Sequence, residues 1–585
     1  MSRRDLPWLG LVALSLAAGI GSNWRRLGDA LVDCGREMDE PLRLLRGERL
    51  YADVQHFYGP LSPHLNALLL RVFGVHLDVL RTSGAAAAVA IVVLVYWLTR
   101  RLAGPMTAAA AALAVTWLCA LAPNGNFVLP YSYAAVHGCA LAFAAVAAGV
   151  AAFGSDRVGL RVVSGACAGL ALAAKTEMGA AALAGGLAAA VLGGPLRPPL
   201  LRRRVLAFSL PAVVLPAIVY GWVAAGVGTR ALIENHVVPL QLPAPTVRFL
   251  RWVYGLEHPF QALARQAVAL LLLAIAFSLV LLSAPGAARP SSPRARLLLR
   301  CGSLVLLLLV LVAMNRSFPS VDPMAAMPLL AAVVVLRTLL RAARQWRRRA
   351  RVGGRTALAL VCALFALACL GRSLLYVRTN SYGTFMLPAA LMVAAWVATW
   401  ELPLLLRRPA AVRWARRLGA VLLLAWTGTG VVATYRATAG RVYRVSTPRG
   451  TMSMGRPRAE AFAGAIRFVE RETRPGEPVA VLPEGTSILF LADRRNPLTE
   501  ELATPGLLNE ARAVSQLESS GTRLILLTDR PTDEFGAHAF GRDYAQGTMA
   551  WIEARYRVCG TFGLDPRPDR EIGSGRFFIK AYCRS

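Results

Sequence analysis

The feature that most constrains this chain is a series of apolar runs joined by short arginine-rich loops. The runs lie at about 6–20, 80–98, 104–122, 133–153, 160–174, 177–194, 205–227, 263–283, 299–314, 324–340, 356–371, 384–401 and 419–435. A transmembrane helix needs about 20 apolar residues. The pattern therefore predicts a polytopic all-α membrane protein with about 13 transmembrane helices. The first run follows MSRRD and has no small-residue cleavage site before Asn23, so it is read as an uncleaved first helix and not a signal peptide. With 56% hydrophobic and 17% charged residues, and a mean hydropathy of +0.49, a string of soluble domains and a disordered chain are both excluded.

The net charge of +32 comes from 63 Arg and two Lys, Lys175 and Lys580, against 33 acids. Such a surplus could mark a nucleic-acid binder. Here the arginines sit between apolar runs, where they orient the spans, and no nucleic-acid partner is expected. Sorting the loops alternately puts about 26 Arg with only Asp5 and Asp156 on one side. Cytoplasmic loops are the Lys/Arg-rich ones, so this set faces the cytoplasm of the inner membrane. An odd span count then places the tail outside, in the periplasm or at the extracellular face. The expected division is a membrane domain at 1–436, with its first outer loop at about 23–63, and an outer domain at 437–585.

The first outer loop reads NWRRLGDALVDCGREMDEPLRLLRGERLYADVQHFYGPLSP and holds seven acids: Asp29, Asp33, Glu37, Asp39, Glu40, Glu48 and Asp53. Asp33 and Glu37 lie four apart and would share a helix face. With Leu42, Leu45, Leu50 and Tyr51 opposite them, the segment is expected to lie as an amphipathic helix on the outer membrane surface. Most of the seven acids would then form a solvated face. A carboxylate held at that surface is what a general base for an acceptor hydroxyl requires, and Asp33, Glu37 and Asp53 are the catalytic candidates.

The other outward loops are short. Lys175 falls between two apolar runs, where an ionisable residue is costly and marks a functional site by default. Glu177, two residues on, would pair with it. Arg316 and Arg378 stand on the outer side, against the charge trend, and an arginine fork suits phosphate or a lipid headgroup equally. Tyr58 and His64 complete the substrate-contact candidates. His137, within the fourth run, is read as a helix-packing histidine.

The tail holds 18 of the 33 acids and is ordinary in composition. Helices are expected at 459–471, 507–518 and 547–556, and strands at 479–482, 523–527, 557–562 and 576–582. That alternation predicts a small α/β domain. It has no phosphate-binding glycine loop and no metal-ligand spacing, PEGT at 483–486 reads as a turn, and the domain is taken as an accessory module. Cys559 and Cys583 flank the last two strands and could bridge them if those strands are neighbours. The six cysteines in or beside the spans are read as small buried hydrophobes, and Cys34 has no evident partner.

The motif D-x-G-R-E … G-x-x-L-Y-x-D … Y-G-P-L … N-A-L-L … F-G, from Asp33 to Gly74, resembles the first outer loop of bacterial GT-C glycosyltransferases, the group related to protein O-mannosyltransferases. The resemblance implies a multi-spanning helical core, a polyprenyl-phosphate-linked sugar donor, transfer on the outer face, and Asp33 as the catalytic acid. Many members carry an Asp-Glu pair there. Here Cys34 follows, so a second carboxylate would come from elsewhere, from Glu37 or Asp53. The run Ala174–Glu177 is similar to a lysine-containing segment of that family. No metal and no other cofactor is expected, and the acceptor (glycan, lipid or protein) is not implied. The rival readings are a polytopic transporter, an envelope polymerase or ligase, and a noncatalytic envelope protein.

Overall fold

The computed structural model describes residues 3–155, 157–237, 244–285, 292–316, 322–347 and 352–585. Asp156 of the arginine-rich loops and part of the outer loop before Asp322 fall outside them. Helix α1 (Leu6–Asn23) leads into two helices of the first outer loop, α2 (Cys34–Leu45) and α3 (Leu61–Phe73). Next come α4 (Leu77–Leu102), α5 (Pro105–Val115, prolonged by a π turn to Ala120), α6 (Tyr133–Ala151), α7 (Val158–Ala174), α8 (Thr176–Leu192) and α9 (Pro198–Val227). Two short helices, α10 (Thr229–Val237) and α11 (Ala244–Val253), precede α12 (Pro259–Ser283), α13 (Pro293–Arg316), α14 (Met327–Arg347) and α15 (Gly354–Leu370). The membrane domain ends with α16 (Pro388–Trp396, continuing in irregular turns to Leu405) and α17 (Pro409–Ala439).

All thirteen apolar runs are helical. Among the described residues nine helices are long and apolar enough to cross a membrane, and four more are apolar but shorter: 105–120, α7, α8 and 297–308 of α13. The shorter ones are rich in Ala and Gly, whose small side chains let backbones approach where lipid gives no hydrophobic drive to associate. Helices α4 to α8 with α15 and α16 bury one continuous apolar core. The two ends of this bundle differ in charge. At one end Asp5 bonds Arg100 at 2.7 Å, and Glu401 holds Arg337 at 3.2 Å and Arg341 at 2.6 Å. At the other end lie the first outer loop, Lys175 and the C-terminal domain.

That domain opens with a hairpin, β1 (Tyr443–Thr447) and β2 (Gly450–Met454), whose polar strands gave no sequence signal. It continues with α18 (Arg456–Glu472), β3 (Val479–Leu482), α19 (Ser487–Ala492), α20 (Glu510–Ser519), β4 (Leu524–Thr528), α21 (Gln546–Arg555), β5 (Tyr556–Gly563) and β6 (Phe578–Arg584). The sheet order is β3-β4-β6-β5, with β3 and β4 parallel and the other pairs antiparallel. The four strands fall where the sequence placed them. Cys559 and Cys583 are disulfide-bonded across β5 and β6, their Cα atoms 5.7 Å apart.

The expectation for α2 is corrected. It does not lie on a membrane surface: every residue from Cys34 to Arg43 is buried. Leu31, Met38 and Leu42 join Leu77 and Tyr133 of the membrane domain and Phe462, Ile488 and Leu526 of the C-terminal domain in one cluster. The apolar face that would have met lipid meets protein. Nor is the acidic face solvated. Arg43 bonds Glu501 at 2.6 Å and the Leu498 carbonyl at 2.8 Å, and Arg458 bonds Asp29 at 2.8 Å. Gly35 permits this docking, because a Cβ there would stand 2.6 Å from the Ser487 backbone nitrogen.

Candidate active site

Asp33 sits at the turn into α2 with φ +60° and ψ −46°, a region that costs a non-glycine residue about 1–3 kcal/mol. Such strain persists only where the surroundings impose it. The carboxylate accepts no hydrogen bond among the described residues. Burial raises its pKa, Arg36 and Arg530 oppose the rise, and Asp29 and Glu534 add to it.

Arg36 is buried and fixed from three sides. Its Nη2 donates to Glu37 Oε1 at 3.0 Å and to the Tyr131 carbonyl at 3.1 Å, and its Nε lies 3.6 Å from Glu40 Oε1. The second Glu37 oxygen accepts from the Tyr133 backbone N–H at 2.7 Å, at the start of α6. Glu37 thus orients Arg36 and anchors α6; both its oxygens are engaged. Burial raises its pKa against the pull of Arg36.

Lys175 fills the turn between α7 and α8 and is 1% exposed. Its Nζ lies 3.5 Å from the centroid of the Tyr58 ring, 5.3 Å from that of Phe385 and 3.8 Å from Glu177 Oε1, and it has no hydrogen-bond partner. Glu177 is also 3.4 Å from Arg372 Nη1. The first outer loop reaches this turn because residue 59 is glycine. The Gly59 N–H donates to the Ala174 carbonyl at 3.2 Å, and a Cβ at 59 would stand 2.1 Å from the Ala173 oxygen.

Tyr58 links the two charged centres. It packs on Lys175, lies 5.6 Å below the Arg36 guanidinium, and feels the charge of Asp33. Tyr131 and Tyr382 feel that charge too, and their rings meet edge to face at 5.0 Å. Tyr58 and Tyr131 thus connect Asp33 and Arg36 with Lys175, Glu177 and Arg372 in one buried cluster of charged and tyrosine side chains.

The other candidates sit elsewhere. Asp53 is half-exposed and bonds Arg49 at 3.1 Å. His64 donates to, or accepts through, no group of this cluster; its Nδ1 meets the Pro60 carbonyl at 2.7 Å and its ring packs on Trp222. Arg378 stacks on Tyr376 at 3.9 Å and Trp252 at 5.1 Å. Arg316 ends α13, and its side chain lies outside the described residues. His137 packs between helices, with Ser62 at 3.2 Å and Ser83 at 3.0 Å.

Four groups of this cluster carry no sequence signal of their own. Arg36 belongs to the D-x-G-R-E motif, and Arg372 opens the same outer loop as Arg378. Glu484 and Arg530 come from the C-terminal domain, bonded to each other at 3.1 Å. Burial pushes the Glu484 carboxyl up to about 7, with Arg530 opposing. Glu484 belongs to PEGT, a turn with nothing local to mark it. Among the described residues no three His, Cys, Asp or Glu side chains come together as a metal ligand set. The side chains around Asp33 include the cations Arg36 and Arg530, which do not ligate metal.

No protein-family model matches the chain, and no curated protein matches its sequence. Solved structures do match. The crystal structure of the Archaeoglobus fulgidus oligosaccharyltransferase, in complex with Zn and sulfate, aligns over 95% of this chain and 72% of that one, with a TM-score of 0.51 and 14% identity. ArnT from Cupriavidus metallidurans bound to undecaprenyl phosphate aligns over 98% and 97% of the two chains, with a TM-score of 0.44 and 16% identity. The fold is shared with that oligosaccharyltransferase structure. The C-terminal sheet domain is included in that alignment, so the likeness runs the length of the chain and is not confined to the spans.

Proposed function

We propose that this protein is a membrane glycosyltransferase that moves a sugar from a polyprenyl-phosphate donor to an acceptor hydroxyl, at the membrane face that carries the C-terminal domain. The observation that supports the reading is Lys175: a buried amine without a hydrogen-bond partner, packed on the Tyr58 ring, which also faces Arg36 and the charge of Asp33. Burial lowers the Lys175 pKa to about 7, with Glu177 opposing, and a phosphate brought by substrate would restore and hold the charged form.

In this reading the donor's chain stays in the bilayer and its phosphate lies between Lys175 and Arg372. Asp33 takes the proton of the acceptor O–H as that oxygen attacks the anomeric carbon. The bond from that carbon to the phosphate oxygen breaks, and the electron pair leaves with polyprenyl phosphate, whose extra negative charge Lys175 and Arg372 stabilise. Attack opposite the leaving group inverts the anomeric configuration. Glu37 holds Arg36, and Arg36 keeps Asp33 from becoming too basic to ionise. Glu177 keeps Lys175 and Arg372 together until phosphate arrives. The raised pKa of Asp33 makes it a better base than an exposed aspartate, and Arg36 and Arg530 limit the rise.

Turnover of radiolabelled polyprenyl-phosphate sugars by the purified protein tests this. Wild-type protein should release polyprenyl phosphate, and Asp33→Asn should not. An Asp33→Asn protein that folds normally and keeps full transfer refutes the assignment.

A further inference from the structure

A second feature of the membrane domain lies away from this cluster. Helices α12, α14, α16 and α17 enclose an apolar cavity of about 430 Å³. Its lining on α14 runs from Met327 to Arg341. At 1.5 Å per residue that is about 21 Å, more than half of the roughly 30 Å hydrocarbon core. The walls are Leu, Val, Phe and Ala side chains with Trp396 and Trp426. At its charged end stand Arg337 and Arg341, one helical turn apart, both held by Glu401.

The charge at one end of the cavity points to an occupant. The charged end carries two guanidinium groups against one carboxylate, and both arginines are part-exposed at 39% and 42%. Glu401 follows α16 in the chain, and Phe385, which precedes α16, lies 5.3 Å from Lys175 Nζ.

We infer that this cavity binds one acyl chain of an anionic glycerophospholipid, with its phosphate on Arg337 and Arg341 at the bundle end opposite the C-terminal domain. The cavity is deep enough for a chain from one leaflet, and its walls offer that chain the contacts of a protein core. The guanidinium pair takes phosphate by charge-assisted hydrogen bonds, and Glu401 holds the pair in place while competing with the ligand. A zwitterionic lipid brings a phosphate and a compensating cation, so it gains less from two arginines. The site is separate from the proposed donor phosphate position and serves the helical bundle itself.

The test is saturable binding of dioleoyl phosphatidylglycerol to the detergent-purified full chain, followed by native mass spectrometry, with dioleoyl phosphatidylcholine and polyprenyl phosphate as the other arms. The expected result is one phosphatidylglycerol per chain, bound about tenfold more tightly than phosphatidylcholine. Arg337→Gln with Arg341→Gln should lose that preference. Glu401→Gln should bind phosphatidylglycerol more tightly than wild type, because the competing carboxylate is gone; a purely structural ion pair would give looser folding and no tighter binding. Equal retention of both phospholipids, unchanged binding in the double variant, or occupancy by polyprenyl phosphate in preference to phosphatidylglycerol would each overturn the proposal.

Discussion

Lys175 presents its ammonium 3.5 Å from the centroid of the Tyr58 ring, although 117 residues of chain separate the two. The contact joins the first outer loop to the turn between α7 and α8, and it places the membrane domain's one lysine against an aromatic face where no hydrogen-bond acceptor reaches it. A desolvated cation–π pair of this kind contributes about 2 kcal/mol, less than full hydration would. In the proposed function the donor phosphate completes this site.

Tyr58→Phe keeps the ring face and should keep turnover near the wild-type rate. Tyr58→Leu removes it and should lower turnover about tenfold or more, in line with the cation–π contribution. Steady-state rates with a polyprenyl-phosphate sugar check the pair.

Lys175→Met and Arg372→Met should each reduce turnover about a hundredfold, the typical loss when one preorganised stabiliser of a developing charge is removed. Arg378→Met should leave it close to wild type, because Arg378 is spent on Tyr376 and Trp252. An inverted order, with Arg378 the sensitive position, would contradict the assignment of the phosphate site.

The pH dependence follows from Asp33. Burial raises its pKa, and Arg36 and then Arg530 draw it back. The base works ionised, so activity should rise with pH along a limb displaced above the ordinary aspartate value. Arg530→Gln removes a cation that favours the carboxylate, so the limb should move to higher pH. A limb that stays in place, measured as kcat/KM against pH, would separate Arg530 from the site.

Docking of the C-terminal domain onto α2 rests partly on the buried Arg43–Glu501 pair at 2.6 Å. Arg43→Met leaves Glu501 buried and unpaired, a loss of about 3–5 kcal/mol. The variant should show early proteolysis between the two domains while the helical bundle still melts as before. Exposure of the pair in denaturant titrations would give the same reading.

Asp39 lies against Glu501 in the same interface, and burial followed by repulsion from Glu501 raises its pKa in the folded protein. A carboxyl raised in the folded state gives stability that is complete below its unfolded value and is lost as pH climbs through the folded one. The thermal midpoint should therefore fall from mildly acidic to mildly alkaline pH, and Asp39→Asn should flatten that slope. Melting curves of both proteins across the range decide it.

Much of this molecule was legible in its residues taken in order. Hydropathy is a local property, so thirteen apolar runs appear as thirteen helices, and the β-branched and aromatic runs of the tail appear as β3 to β6. The Cys559–Cys583 bond followed once β5 and β6 proved to be neighbours. The motif around Asp33 marked the loop that contributes to the buried cluster. What packs on a helix is another matter, because it depends on contacts between residues far apart in the chain. The amphipathic pattern of α2 fits lipid or protein equally well, and only the fold covers it with the C-terminal domain. The same holds for the charges. Arg372 and Arg378 are six residues apart and alike in type, yet one meets Glu177 and the other stacks on aromatic rings. Arg530 joins Asp33 from 497 residues away. The sequence by itself determined which segments form apolar helices and which carry the charge; tertiary packing decided which of those charges lose their water, and desolvation is what sets their chemistry.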